Sequence, residues 1–215
     1  MKIRSFVGMC LCGLLLSVVP VVGQSGEQML ASLRNYLLET NAMEADVHIR
    51  AQMDGKIELF NDPVKLTLQQ GNYRLEGEYF VFYADSSSVW LYDPSAEELT
   101  VTDRVIDYTN FLENPFAVLQ EDALLYFEVA SPQTRLLNGE TVRVLTLTSK
   151  YEQPAWVIEI AVGPESNRLR YLNCVRDREH YRIEVLSLRK RSALTEEFFT
   201  PDAALQQRVE LVDLR

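Results

Sequence analysis

The side chains best suited to hold a metal or to act as nucleophile and base are two histidines, His48 and His180, and three cysteines, Cys10, Cys12 and Cys174. Their spacing supports neither chemistry. His48 falls among the polar positions of an alternating stretch, and His180 follows the charged run Arg176-Asp177-Arg178-Glu179. Neither stands at metal-ligand spacing from the other or from Cys174. A nucleophilic cysteine needs a base and an electropositive setting. Cys174 has Arg170 and Arg176 nearby in sequence but no histidine placed to serve it, and reads as a structural thiol. Ser86-Ser87-Ser88 lacks the glycine elbow of a hydrolase serine. The acids are scattered, as at Glu97-Glu98, Glu113 and Glu121-Asp122, and nominate no glycosidase pair, whose carboxylates meet only in space. There is no phosphate-binding glycine loop and no Cys-x-x-Cys motif. The sequence therefore assigns no catalytic residue, no metal ligand and no cofactor, and the chain is expected not to be an enzyme.

What is left is apolar surface where a half-exposed strand should alternate cleanly. Every position of Tyr79-Phe80-Val81-Phe82-Tyr83 is apolar or aromatic, and Val89-Trp90-Leu91-Tyr92 behaves the same way. Each face of these segments must be covered. Two accounts fit: a core on one side with a packed helix on the other, or a concave sheet whose lidded inner face holds an apolar ligand.

The surrounding elements follow from periodicity. Met29, Leu30, Leu33, Leu37 and Leu38 recur at spacings of three and four, predicting a helix over Glu27–Thr40. From Asp46 to Met53 the period becomes two, and Asp54-Gly55 is a hairpin signal that leads into a returning strand over Lys56–Phe60. Further strands are expected at Val64–Gln69, Tyr73–Glu76, Tyr79–Ala84, Val89–Tyr92 and Leu99–Thr102, then at Val142–Leu147, Trp156–Val162, Leu169–Val175 and Tyr181–Leu188. Turn residues separate them, as at Gln70-Gly71-Asn72, Asp85-Ser86-Ser87, Asp93-Pro94-Ser95 and Asn138-Gly139. The gaps leave no room for parallel crossovers, so the sheet is expected to be antiparallel. Between Asp107 and Phe127 the alternation lapses, and Phe111, Leu112, Phe116, Val118 and Leu119 crowd around Pro115. One or two short helices are expected there, with Pro115 in a first turn. The fold class is mainly β: one long sheet with two helical pieces.

The N-terminus reads as an export signal. Lys2 and Arg4 precede an apolar run from Phe6 to Val22 that ends in small residues, so 1–23 is expected to be a cleaved signal peptide and 24–215 a single exported domain. Cys10 and Cys12 lie too early in that run for acylation. Cleavage leaves Cys174 without an internal disulfide partner, so the fold must rest on its core. Losing Lys2 and Arg4, with no acid, takes the net charge from −10 to −12. That balance argues against nucleic acid, which wants a basic face, and against resting on an anionic membrane.

Four fragments in order resemble the LolA family of periplasmic lipoprotein carriers. Gly71-Asn72-Tyr73-Arg74-Leu75 is similar to the family's "G-K-F-R-W" strand, and Tyr83-Ala84-Asp85-Ser86-Ser87-Ser88-Val89-Trp90-Leu91-Tyr92-Asp93-Pro94 to its "SDG-x-x-(L/V)-W-x-Y-(N/D)-P" hairpin. Asn114-Pro115-Phe116-Ala117-Val118-Leu119 resembles the short lid helix. Phe199-Thr200-Pro201 through Val209–Arg215 resembles the family's close. Ser86 replaces the hairpin glycine, a glycine is lost near Gln207-Arg208, and Asn61-Asp62-Pro63 stands where a gating "K-R-P" would fall. The pattern is most similar to divergent LolA-like proteins of the Bacteroidetes. The resemblance implies an incomplete, unclosed barrel with helices at its mouth, acting as a monomer. It would accept acylated lipoproteins from an inner-membrane lipoprotein-releasing ABC transporter and pass them to an outer-membrane acceptor. The acyl cavity and lid it implies would involve Arg74, Phe80, Phe82, Trp90, Tyr92, Phe111, Phe116 and Leu119. A periplasmic carrier of free lipid or glycolipid, or a lipoprotein-sensing domain on the same scaffold, are the alternatives.

Overall fold

In a computed structural model, which describes residues 24–38, 41–54, 56–59, 63–105, 116–119, 122–163 and 168–215, the chain opens with helix α1 (Gly26–Leu38). Seven strands follow: β1 (Ala42–Met53), β2 (Lys56–Leu59), β3 (Val64–Gln69), β4 (Asn72–Glu76), β5 (Val81–Ala84), β6 (Ser88–Asp93) and β7 (Glu98–Asp103). A 3-10 helix (Ala117–Leu119) and α2 (Ala123–Tyr126) come next. Six strands follow: β8 (Phe127–Val129), β9 (Gln133–Leu137), β10 (Glu140–Ser149), β11 (Val157–Val162), β12 (Leu169–Arg176) and β13 (Glu179–Arg191). A second 3-10 helix (Glu196–Phe199), α3 (Ala203–Arg208) and β14 (Glu210–Asp213) complete the chain. The expected signal peptide, Phe60, Phe111 and Pro115 lie outside the described residues.

The turns form for identifiable local reasons. Gln70 and Gly71 both take positive φ (49° and 87°), as do Asn138 and Gly139 (50° and 83°), the geometry that lets two residues reverse a twisted strand. Asp85 Oδ1 accepts the Ser87 and Ser88 amides at 2.7 and 2.9 Å, and Asp93 Oδ1 accepts those of Ser95 and Ala96 at 2.8 and 3.1 Å. The Ser95 hydroxyl also donates to Asp93, and together these bonds hold that carboxyl below the usual carboxylate range.

All the described strands join one curved sheet in the order β14-β7-β6-β5-β4-β3-β1-β13-β12-β11-β10-β8, with β2 on β1 and β9 on β10. The ends of that order do not meet, so the sheet stays unclosed, as the resemblance implies. The antiparallel expectation holds for every pair but one. β14 runs parallel to β7, because residues 192–209 carry the chain from β13 across to the far edge before it pairs again. The count of two helical pieces also needs correction, since that same crossing segment contains α3 and the second 3-10 helix.

Alternation sorts the strands onto two faces. The inner face gives one contiguous core: Val47 and Ile49 of β1, Leu66 of β3, Leu75 of β4, Leu147 of β10, Ile158 and Ile160 of β11, Leu172 and Cys174 of β12, and Ile183 of β13. The outer face of β1 and β13 is largely polar and carries ion pairs such as Arg182–Glu184 at 2.8 Å and Arg189–Glu44 at 2.8 Å, while Tyr171 of β12 packs on that face with Val142, Val144 and Ala161. His48 and His180 lie on that outer face, opposite Glu184 and Gln52 in register. Among the described residues no group of three His, Cys, Asp or Glu side chains is arranged to hold a metal ion. No helix among them is long and apolar enough to cross a membrane.

Cys174 is fully buried in the inner core, and burial pushes its thiol well above the usual range. Desolvation disfavours the thiolate, so the nucleophilic form is withheld at neutral pH. The native protein is expected to leave this thiol unlabelled by iodoacetamide at pH 8 and to label it on unfolding in guanidinium. Labelling of the native chain at the rate of a solvent-exposed cysteine would contradict this packing.

Candidate functional site

The inner face is apolar from β6 round to β10, and α1 fills it. Met29, Leu30, Leu33 and Leu37 lie on one side of α1 and are all buried in the inner core. The 3-10 helix Ala117–Leu119 packs beside α1, and Phe116, Ala117, Val118 and Leu119 are buried there too. α1 and this 3-10 helix together form a plug in the trough of the sheet.

The placement of α1 is specified at its first turn. Ser25 and Gln28 form a capping box: the Gln28 amide donates to Ser25 Oγ (3.2 Å), and the Ser25 amide donates to Gln28 Oε1 (2.9 Å). Gln24 ties this turn to the sheet, accepting from Arg143 Nη1 of β10 at 2.9 Å and donating from Nε2 to Ser32 Oγ at 2.9 Å. At Gly26 a Cβ would stand 2.2 Å from the Ala130 carbonyl oxygen and 2.8 Å from a Val129 methyl. Only glycine lets the helix start this close to the strands.

Strand register settles which aromatic groups face the plug. Leu75 pairs with Phe82 and Phe82 with Leu91, so these three share the inner face with Tyr73, Ala84 and Val89. Phe80 joins them, its ring 5.6 Å from that of Phe82 in an edge-on contact. Gly77 makes room for it, because a Cβ there would lie 2.7 Å from Phe80 Cε1. Phe80, Phe82 and Leu91 remain half-buried, at the flank of the trough that the plug covers least.

Arg74, Trp90 and Tyr92 lie on the opposite face. Arg74 pairs with Tyr83, Tyr83 with Trp90 and Trp90 with Val101, while Tyr92 pairs with Leu99. This outer patch has its own cover. The Arg74 guanidinium lies 4.9 Å from the ring centres of both Tyr83 and Phe198, and it donates to Glu76 Oε1 at 2.8 Å. Burial raises the Tyr83 hydroxyl above its ordinary range, with Arg74 partly opposing the shift. Gln69 clamps the incoming segment by donating to the Leu194 carbonyl (2.9 Å) and accepting the Leu194 amide (2.7 Å). The Asp202 side chain caps α3 by accepting from the Leu205 amide at 2.7 Å. That segment buries Phe199 and Leu205, and Leu99 and Val101 are buried beneath β14's edge of the sheet. The doubly apolar strands thus serve two cores, one on each face.

Of the residues read from sequence, the structure brings Phe80, Phe82, Phe116 and Leu119 to the inner face and its plug. It sets Arg74, Trp90 and Tyr92 on the outer face, and Phe111 lies outside the described residues. Leu91 and the buried stripe of α1 are inner-face groups that the sequence reading did not nominate. For α1 the signal was its spacing of three and four, read as a helix but not as the occupant of the trough.

An unclosed sheet whose inner face is stopped by short helices is the architecture that the four sequence fragments imply. No family model matches the chain, and no curated protein matches it in sequence. Among solved structures it is similar to an uncharacterized conserved protein from Thermus thermophilus, at 10% identity and a TM-score of 0.57, over 87% of this chain and 98% of that one. This likeness is one of fold. Weaker likenesses include a LolA superfamily protein from Nitrosomonas europaea (12% identity, TM-score 0.42, 83% of this chain and 98% of that chain). Another is a putative outer membrane lipoprotein-sorting protein domain from Vibrio parahaemolyticus (13%, 0.41, 82% and 96%).

The two faces should separate under mutation. Gly26→Val is expected to lift the first turn of α1, seen as faster amide hydrogen exchange along α1 and a lowered unfolding midpoint. Phe199→Ala is expected to cost about 3–5 kcal/mol of stability through the outer core, with native-state exchange of α1 left as in the parent. Equal acceleration of α1 exchange by both variants would show that the two cores are not independent.

Proposed function

We propose that residues 1–23 direct export, that 24–215 act as one periplasmic domain, and that this domain carries the acyl chains of lipoproteins in its trough from the inner to the outer membrane. It is a binding protein and not an enzyme. The observation that carries the reading is the apolar inner face stopped by short helices and not by strands, with Phe80, Phe82 and Leu91 half-covered beside them. The sequence fragments shared with the LolA family support it. In this reading the acyl site comprises Phe80, Phe82, Leu91, Phe116 and Leu119, and Phe111 is expected to join them. Arg74, Trp90 and Tyr92 act from the outer face by fixing the strands that present Phe82 and Leu91.

The magnitudes make a carrier and not a sink. Burying an acyl chain yields roughly 0.8 kcal/mol per methylene, so one long chain gives on the order of 10 kcal/mol. To admit it, the stripe of Met29, Leu30, Leu33 and Leu37 must leave the trough. At about 1.5–3 kcal/mol for each apolar side chain, that displacement costs roughly 6–12 kcal/mol. The two amounts are comparable, so loading and unloading are near balance. A transporter on one side and an acceptor on the other can then set the direction with modest differences in affinity.

Native mass spectrometry of the mature chain with a synthetic triacylated lipopeptide tests this. A one-to-one complex is expected, absent with the unacylated peptide. Phe82→Asp should weaken it by about tenfold or more through a charge in the apolar trough, while Trp90→Phe on the outer face should leave it unchanged. If no complex forms and a small lipid co-purifies instead, the protein is a carrier of free lipid. A complex that survives Phe82→Asp but not Trp90→Phe would place the site on the wrong face.

A further inference from the structure

Three exposed apolar side chains lie near one another in the fold, on α2 and the connection between β10 and β11. Leu125 is 65% exposed, Tyr126 42% and Tyr151 74%. The rings of Tyr126 and Tyr151 contact edge-on, with centres 6.5 Å apart and planes at 87°. Lys150 fixes the arrangement. Its backbone amide donates to the Tyr126 carbonyl at 2.9 Å, and its Nζ donates to the Leu124 and Leu125 carbonyls at 2.9 and 3.3 Å. The ammonium thereby caps the last turn of α2 and holds the patch to the sheet. Leu124 turns inward to the core, and α2 rests on the 3-10 helix Ala117–Leu119. The patch is therefore rooted in the plug.

We propose that Leu125, Tyr126 and Tyr151 are a membrane-docking patch that seats the plugged end of the protein on a zwitterionic bilayer surface. This inference rests on the acyl-carrier reading, since a carrier must meet a bilayer or a bilayer-embedded partner to load and unload.

Three observations select a bilayer as the occupant. The side chains are of the interfacial kind: tyrosine offers an apolar ring and a polar tip, and it is enriched where hydrocarbon gives way to headgroups. The patch is small. Three side chains cover at most a few hundred Å², whereas a stable protein interface takes about 800 Å² from each partner. Shallow insertion into a bilayer has no such threshold, and a weak, reversible contact is what a shuttling protein needs. Charge decides the lipid class. The chain carries a net −10, and the exposed acids Asp122 and Glu128 flank α2, so an anionic surface repels it.

Flotation of the purified protein with phosphatidylcholine vesicles on a density gradient tests the proposal, run beside lipopeptide binding on the same samples. The parent is expected to co-float. The double variant Leu125→Ser/Tyr151→Ser should reduce the floated fraction by about fivefold or more, and phosphatidylglycerol in the vesicles should also reduce it. Leu136→Ser, which changes a leucine 74% exposed elsewhere on the surface, is the control and should float as the parent does. A parent that stays at the bottom of the gradient, or a control that loses as much as the double variant, overturns the proposal. So does sedimentation analysis in which the parent is a dimer that the double variant breaks, which would make the patch a contact between copies. Patch-dependent flotation without any lipopeptide binding would keep the docking patch and remove the carrier reading. Lipopeptide binding by a parent that does not float would do the reverse.

Discussion

β1 and β13 pair from Ala42–Arg191 to Gln52–His180, and this ladder joins the two halves of the sheet. On one side of it lie β3 to β7, on the other β12 back to β8. Each half is built largely from local hairpins, but the seam brings together residues 128 to 149 positions apart. Ser187 bonds Asp46 across it at 2.6 Å, and Arg191 bonds Glu44 at 2.6 Å. Without the seam there are two shallow hairpin arrays and no trough. With it, the inner faces of both halves turn toward one another, and α1 has something to fill. A register irregularity between Asp46 and Val47 adds local twist where the longest strands must bend.

Because the sheet does not close, the trough cannot be stopped by strands alone. Its apolar wall is covered by a helix attached at its first turn through Gly26, Ser25 and the Gln24–Arg143 bond, and by one turn of 3-10 helix. Such cover is local in sequence and shallow in contact compared with the seam. Elements with few tertiary anchors open at lower free energy than a sheet centre. The stable seam and the less anchored plug are thus consequences of one choice, an inner face left open on one side.

Much of the fold was legible because alternation at β1, β3, β4, β11, β12 and β13 pairs apolar positions on the core with polar positions in water. Where that contrast is missing, reading fails. β9 is exposed along nearly its whole length and β8 has three residues, so neither carries a period. α3 and β14 are short and surface-lying, and their partners lie at the far edge of the sheet, which no local pattern reports. The site shows the same limit. Phe80, Phe82, Phe116 and Leu119 stood out as apolar groups in excess of what one face requires. The side on which Arg74, Trp90 and Tyr92 would fall did not, because β5 and β6 are covered on both faces and an alternation of apolar with apolar has no sign. Only the pairing of Phe82 with Leu75 and Leu91 supplies it.

An open sheet has two unpaired margins, and each is a template on which further chains can polymerise strand by strand. Here one margin ends in β14, four residues long with Glu210 and Asp213 among them, and Arg215 holds the Asp213 carboxyl ionised down to about pH 2. The other is divided between β8 and β9, and β9 presents Gln133, Thr134 and Arg135 to solvent. Both margins are short and carry charged side chains beside the exposed Leu211 and Leu136. The molecule can leave its trough open without offering itself as the seed of a fibre.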